Sequence, residues 1–275
     1  MDNGVGLALF GTNSKRTRWP RPERKALLEA VVADGLSPGR MMPGTGACDL
    51  PTAIDLTAHA VGLGCAGVLM LPPFYYKGVS DDGLFDYFSR VIDGVADPRL
   101  RVYLYHIPPV AQVPISLDLI ERLRAAYGDT VAGVKDSGGD FTHTKAMIDG
   151  FAADGFEVFA GSETFLLDTM RAGGAGCISA TANVNPAAIS ALQREWQAAD
   201  AEARQAALDT VRAAFQAHPM IPAMKAAVSR FSGDAAWASV RPPLVTLGEE
   251  QRGQLFAALD ALGFKMAGLE ETAGV

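Results

Sequence analysis

The stretch Arg101–Ser137, RVYLYHIPPVAQVPISLDLIERLRAAYGDTVAGVKDS, holds one complete period of the pattern that governs this chain. An apolar, β-prone run, Val102 to Tyr105, passes through a proline-containing turn into a segment with helical periodicity, Ser116 to Ala126. Ser116 stands where it caps that helix, and Gly128 stands where it stops it. A second apolar run, Val131 to Val134, follows at once. Strands that read as unbroken apolar runs and alternate with helices indicate a parallel sheet covered by helices on its faces.

The same alternation extends in both directions. Strand-like runs occur at Val5 to Phe10, Arg40 to Pro43, Gly67 to Leu71, Glu157 to Ala160 and Gly176 to Ser179. Helix-like segments lie between them at Arg21 to Ala33, Leu50 to Leu63, Asp81 to Val95, Phe141 to Ala152 and Thr164 to Ala172. No Gly-x-Gly-x-x-Gly follows the first run, so a dinucleotide-binding sheet has no support. Seven strands suit a (β/α)8 TIM barrel that lacks its first βα unit better than an open doubly wound sheet. After about Pro186 the strands stop, and helical stretches are expected at Ala187 to Ala217, Pro219 to Phe231 and Glu249 to Leu262. The expected division is a catalytic barrel over residues 1–186 and a helical C-terminal extension over residues 187–275.

Composition narrows the function. The chain has 275 residues, with 24 Lys and Arg against 31 Asp and Glu, a formal net charge of −7. That balance provides no basic footprint for nucleic acid or an anionic membrane. No apolar run reaches the ~20 residues that span a bilayer. The start, Met1-Asp2-Asn3-Gly4, lacks the basic-then-apolar order of a signal peptide. Cys48, Cys65 and Cys177 are odd in number and far apart. They read as buried thiols in a reducing compartment, which makes a cytoplasmic location the expectation. His59, His106, His143 and His218 show no metal-ligand spacing, so no metal is expected.

In βα barrels the chemistry gathers where strands end. Here those ends carry Thr12 and Asn13, Tyr75 and Tyr76, Tyr105, Lys135, Gly161 and Glu163, and Ser179 to Thr181. Of the seven lysines, Lys135 alone terminates a β-like run. An amine at a barrel mouth can attack a ketone and form a Schiff base, although a lysine so placed can equally snorkel to the rim and pair with Asp136. Tyr105 suits an acid–base partner or an amphipathic core edge, and Tyr75 has the same two readings. Thr12 either links the phenols or belongs to an ordinary turn. His106 follows Tyr105 on a strand and is expected to point away from the side that Tyr105 faces.

Taken together, Gly133-Val134-Lys135-Asp136-Ser137, Tyr105-His106-Ile107-Pro108 and the run Gly174 to Asn183 resemble the dihydrodipicolinate synthase and N-acetylneuraminate lyase family of class I aldolases. The resemblance extends from Gly4 to about Leu262. It implies a (β/α)8 barrel with a C-terminal helical extension, commonly assembled as a homo-oligomer, here a dimer or tetramer. It implies Lys135 as the Schiff-base lysine for pyruvate or another 2-oxo acid, Tyr105 as the proton shuttle, and Tyr75 as a relay tyrosine that reaches a neighbouring subunit's site. Thr12 and Asn13 match positions that hold the keto-acid carboxylate, and Gly161 and Ile178 match backbone positions of the pocket. No organic cofactor is implied, since the lysine itself is the electron-sink handle.

Three departures bear on the reaction. The family's second threonine is Asn13 here, and its motif glutamate is Lys15. Lysine-pathway synthases carry an arginine shortly after Tyr-x-x-Pro, whereas this chain reads Pro109-Val110-Ala111-Gln112. Glu163 lies near where sugar-acid lyases bind substrate hydroxyls, and its alternative is an exposed cap of the following helix. The expected partners are therefore a 2-oxo acid and an aldehyde or sugar acid. The competing expectation is a non-catalytic, shortened family member that binds a keto acid or other subunits.

Overall fold

The computed structural model describes residues 3–12, 19–266 and 268–269. Seven consecutive parallel segments come from the seven strand-like runs. Leu7 bridges Met41, Gly44 bridges Leu69, and both bridges are parallel. From there a five-stranded parallel sheet runs in sequence order, β1 (Val68–Met70), β2 (Val102–His106), β3 (Val131–Asp136), β4 (Glu157–Ala160) and β5 (Gly176–Cys177). The first two runs contribute single bridges and loop-like backbone instead of ladders, and Pro43, which has no N–H, interrupts the second run.

Helices connect the segments: α1 (Arg21–Ala33), α2 (Leu50–Gly62), α3 (Asp81–Val95), the single turn α4 (Pro108–Ala111), α5 (Leu117–Tyr127), α6 (Phe141–Phe151) and α7 (Leu166–Ala172). Their starts are chemically set. Asp49, Ser80, Ser116 and Asp140 each accept a backbone N–H of the first turn through the side chain. On α3, Leu84, Phe88 and Val91 fall at i, i+4 and i+7, and all three are buried. Burying such a side chain contributes roughly 1.5–3 kcal/mol each, so α3 is held by packing more than by propensity.

The sheet is buried on both faces, as a parallel sheet must be. Val68, Met70, Val102, Leu104, Val134 and Val158 pack with the helices. The alternate residues Leu69, Tyr103 and Tyr105 form a separate cluster with Ala132, Phe159 and Ile178.

The chain divides into two compact units. The first comprises Val5–Ser162 and Asp168–Ile178; the second includes Glu163–Leu167 and the chain from Ser179 onward. Within the second unit lie α8 (Pro186–Arg194), α9 (Ala201–Gln216), α10 (Met220–Ser232) and α11 (Glu249–Ala261). Phe264 meets Phe215 and Phe231 edge-on in its core, beside Leu255 and Leu259. The helix expected to run unbroken from Ala187 to Ala217 is split. Arg204 bonds both Glu195 and Asp200, at 2.7 and 2.9 Å, and so fastens a chain reversal that the alanine-rich sequence does not reveal.

The cysteines also differ from expectation. All three are free, but Cys48 is exposed and Cys65 and Cys177 are half-buried. Among the described residues no helix is long and apolar enough to cross a membrane. Ser116 offers a direct test of the local reading, since its Oγ accepts the Leu119 N–H at 3.0 Å and also bonds the Asp81 carboxylate. Ser116→Ala is expected to lower stability by about 1–2 kcal/mol in denaturant titration, whereas Ser116→Asp, which keeps an acceptor beside Asp81, recovers only part of it.

Candidate active site

The site is built by register. β2 and β3 pair with Tyr105 opposite Lys135 and His106 opposite Asp136. Because side chains alternate along a strand, Tyr105 and Lys135 share one face, and His106 and Asp136 share the other. Lys135 Nζ donates to the Tyr105 hydroxyl at 3.1 Å and lies 4.3 Å from the centre of its ring. Both residues are buried, Lys135 at 6% and Tyr105 at 3% exposure. A lysine this deep is not a rim residue, and its bonded partner is the phenol.

Thr12 reaches the same hydroxyl, with its Oγ1 3.1 Å from Tyr105 Oη. Ser137 acts on the same phenol, favouring its ionised form. Ser137 was not singled out from the sequence, yet a signal existed. It lies two residues beyond Lys135 in extended chain, which places it on the same face.

Burial pushes the Tyr105 phenol upward, but the adjacent positive charge of Lys135 and the hydrogen bonds from Thr12, Lys135 and Ser137 outweigh it, so the phenol sits below the usual tyrosine range. A phenol that ionises more readily than usual is suited to exchanging protons with a neighbouring reacting group.

Gly161 and Ile178 join this cluster. The Gly161 N–H donates to the Asp136 carbonyl at 2.6 Å. A Cβ at Gly161 would lie 2.0 Å from Ser137 Oγ and 2.8 Å from the Asp136 carbonyl oxygen, so only glycine fits beside Ser137. Ile178 donates its N–H to Ala160 at 2.9 Å and packs against the Tyr105 cluster.

Other expected residues lie elsewhere. Tyr75 is 75% exposed and meets Tyr76 edge-on, and no contact among the described residues joins it to Tyr105. Phe74, its neighbour, packs against the cluster instead. Asn13 lies outside the described residues. Glu163 belongs to the second unit and is 2% exposed, not an exposed helix cap. Its carboxylate accepts from Ser179, from Thr181 and from Arg212 Nη1, the last at 2.7 Å.

On the reverse face His106 points away from Tyr105, as strand alternation requires. Burial pushes its pKa down to about 4, against the pull of the Asp136 charge. The unfolded chain therefore takes up a proton near pH 6.5 that the folded chain refuses until about pH 4. Stability is expected to be full above pH 6.5 and to fall as the pH drops through that window. Thermal midpoints measured across it should decline less in His106→Asn. For the opposite face, Lys135→Met removes the charge that draws the Tyr105 phenol down while leaving it buried. Spectrophotometric titration, with Tyr105→Phe subtracted, should show the phenol moving upward; a downward or absent shift contradicts the assigned cause.

Comparison with known proteins identifies the family of this fold. The profile of the Dihydrodipicolinate synthetase family matches residues 3–262. A protein named an uncharacterized DapA-like lyase from Chloroflexus aurantiacus is 34% identical over 266 residues, covering 95% of this chain and 86% of its own. The crystal structure of dihydrodipicolinate synthase from Agrobacterium tumefaciens superposes with a TM-score of 0.86 at 34% identity, covering 95% of this chain and 88% of that one. YagE from Escherichia coli, a member of the dihydrodipicolinic acid synthase family solved with pyruvate, gives 0.86 at 28% identity, covering 96% and 89%. These solved neighbours are TIM barrels, and members of the family are lyases and aldolases. The chain belongs to the dihydrodipicolinate synthetase family.

Proposed function

We propose that this chain is a class I, Schiff-base-forming lyase or aldolase that acts on pyruvate or a related 2-oxo acid. The observation that carries the reading is the buried pair of Lys135 Nζ and Tyr105 Oη, 3.1 Å apart, with Thr12 on the same phenol. The neutral Lys135 amine attacks the ketone carbon, and the carbonyl oxygen takes a proton from Tyr105. Loss of that oxygen as water leaves the protonated imine. The imine then accepts the electron pair released at the adjacent carbon, either by loss of a proton or by cleavage of a carbon–carbon bond, and an enamine results. Addition of the enamine to an aldehyde, followed by hydrolysis, returns the free lysine.

The second substrate is read from what surrounds the pair. Residues Pro108–Gln112 offer no cation to a substrate carboxylate, and Val110 is 63% exposed. This favours a hydroxylated aldehyde or keto acid over aspartate semialdehyde. On this reading the seven parallel segments correspond to strands two to eight of the relatives' barrel. Thr12, Gly161 and Ile178 frame the keto-acid pocket, a role to which sequence position alone adds Asn13. Glu163, already holding three donors, orders its own segment, and exposed Tyr75 completes the relay in a neighbouring copy of a homo-oligomer. Retention of Lys135, Tyr105 and Thr12 in bonded contact weighs against a non-catalytic relative. An acidic chain with three free thiols suits a cytoplasmic enzyme.

Incubation with pyruvate and borohydride, followed by peptide mass mapping, tests this reading. A reduced adduct on Lys135, absent from Lys135→Ala, is the expected result. Folded wild-type protein that binds no pyruvate and yields no adduct overturns it.

A further inference from the structure

Behind the Lys135–Tyr105 pair lies a buried polar cluster that the reaction scheme does not use. The Asp136 side chain is fully buried. Its Oδ1 accepts the Gly138 N–H at 2.8 Å, and its Oδ2 accepts the Thr144 hydroxyl at 2.7 Å. His143 Nδ1, on the first turn of α6, stands 3.2 Å from Oδ2. His143 is one-third exposed, and its ring stacks on His106 with centres 4.5 Å apart.

Ligand atoms of His106, Asp136 and His143 approach within 4.8 Å of one another, a spacing that would suit a cation. The tautomer of His106 argues against it. The Ile115 N–H donates to His106 Nδ1 at 3.0 Å, so in the neutral ring the proton is on Nε2. That nitrogen faces Asp136 Oδ1 at 3.9 Å and has no lone pair to offer a metal. The cluster is therefore a set of donors converging on one buried carboxylate.

Such convergence satisfies a charge that would otherwise be costly to bury, and it fixes the backbone that carries it. Asp136 directly follows Lys135, which is bonded to the Tyr105 phenol. The bond from Gly138 N–H closes the turn directly after Ser137. The Ser137 N–H itself donates to the His106 carbonyl at 2.7 Å, and the Asp136 carbonyl accepts Gly161. These backbone bonds at the end of β3 thus run through members of this cluster.

We propose that Asp136 and His143 are positioning residues for the Lys135–Tyr105 pair, acting through the end of β3 that carries Lys135. His143 ties the first turn of α6 to the carboxylate, and the carboxylate ties that helix to the end of β3. The inference rests on the Schiff-base reading for its kinetic consequence, but not for its geometry.

The test compares His143→Leu, which removes the donor to Asp136, with His143→Asn, whose amide nitrogen falls near the position of Nδ1. Asp136→Asn serves as a second disruption of similar shape. Two quantities are read: exchange of pyruvate methyl protons for deuterium by NMR, and titration of the Tyr105 phenol with Tyr105→Phe subtracted. His143→Leu and Asp136→Asn should slow exchange roughly ten-fold, the scale expected when a bonded group near the chemistry loosens. Both should move the phenol upward, while His143→Asn stays within about two-fold of wild type at an unchanged thermal midpoint. Wild-type exchange and titration in all three variants overturn the proposal. So do equal losses in His143→Leu and His143→Asn that follow a common fall in thermal midpoint, since that is a purely structural role. If wild-type protein neither exchanges pyruvate nor forms an imine, the proposed reaction fails, and an unmoved phenol then overturns the positioning role separately.

Discussion

The in-register pairing of β2 with β3 is the constraint on which the site depends. Parallel strands present side chains with a period of two, so a one-residue slip would send every residue to the opposite face. In the observed register Tyr105 meets Lys135 on one face while His106 meets Asp136 on the other. A slip would bury the Asp136 carboxylate against Tyr105 and leave Lys135 among the aliphatic residues behind the sheet. The electrostatic cost of that exchange is large compared with any single packing contact, since each buried charge would lose its donors or acceptor. The apolar residues flanking both pairs, Leu104 and Val134 toward the helices, impose the same phase.

The two faces solve different problems with the same device. On the reverse face the Asp136 carboxylate is satisfied by Gly138, Thr144 and His143, which makes it a fixed point of the fold. On the other face the donors converge on a phenol, a group that can change its protonation state without leaving a buried ion unpaired. In the proposed reaction proton traffic falls to Tyr105 and structural anchoring to Asp136. Burial by itself would raise the Tyr105 pKa; the Lys135 charge and the donors around the phenol reverse that shift.

Much of this was legible in the sequence, for identifiable reasons. Apolar runs and caps placed α1, α3 and all five ladder strands, because both faces of a parallel sheet are buried and the pattern is strong. Lys135 stood out because it alone of the seven lysines ends an apolar run, although a rim lysine paired with Asp136 fitted that pattern equally well. The Asp136 cluster was not legible: His106 and His143 are far apart in sequence, and only strand register and the start of α6 bring them together. The break between α8 and α9 was hidden for a related reason. It is fixed by Arg204 pairing with Glu195 and Asp200, tertiary contacts that override good helix formers. The exposure of Cys48 was missed because small neighbours signal a tight turn as readily as a core.

The glycines explain why the polar groups gather at one end of the Tyr105 face. Tyr103, two residues before Tyr105, projects on the same face and needs space there. A Cβ at Gly67 would lie 2.6 Å from its ring, and one at Gly133 would lie 2.7 Å from it on the other side. Both neighbouring strands thus give up a side chain to admit the tyrosine, whose hydroxyl donates to Glu157 on β4. Burial and that carboxylate hold the Tyr103 phenol well above the usual tyrosine range, so it stays protonated. Tyr105, one step further along β2, meets Lys135 where Tyr103 meets Gly133. The same side chain type is thereby an inert filler at one level and an ionisable group at the next, and the difference is set by what its hydroxyl meets: the Glu157 carboxylate in one case and the Lys135 amine in the other.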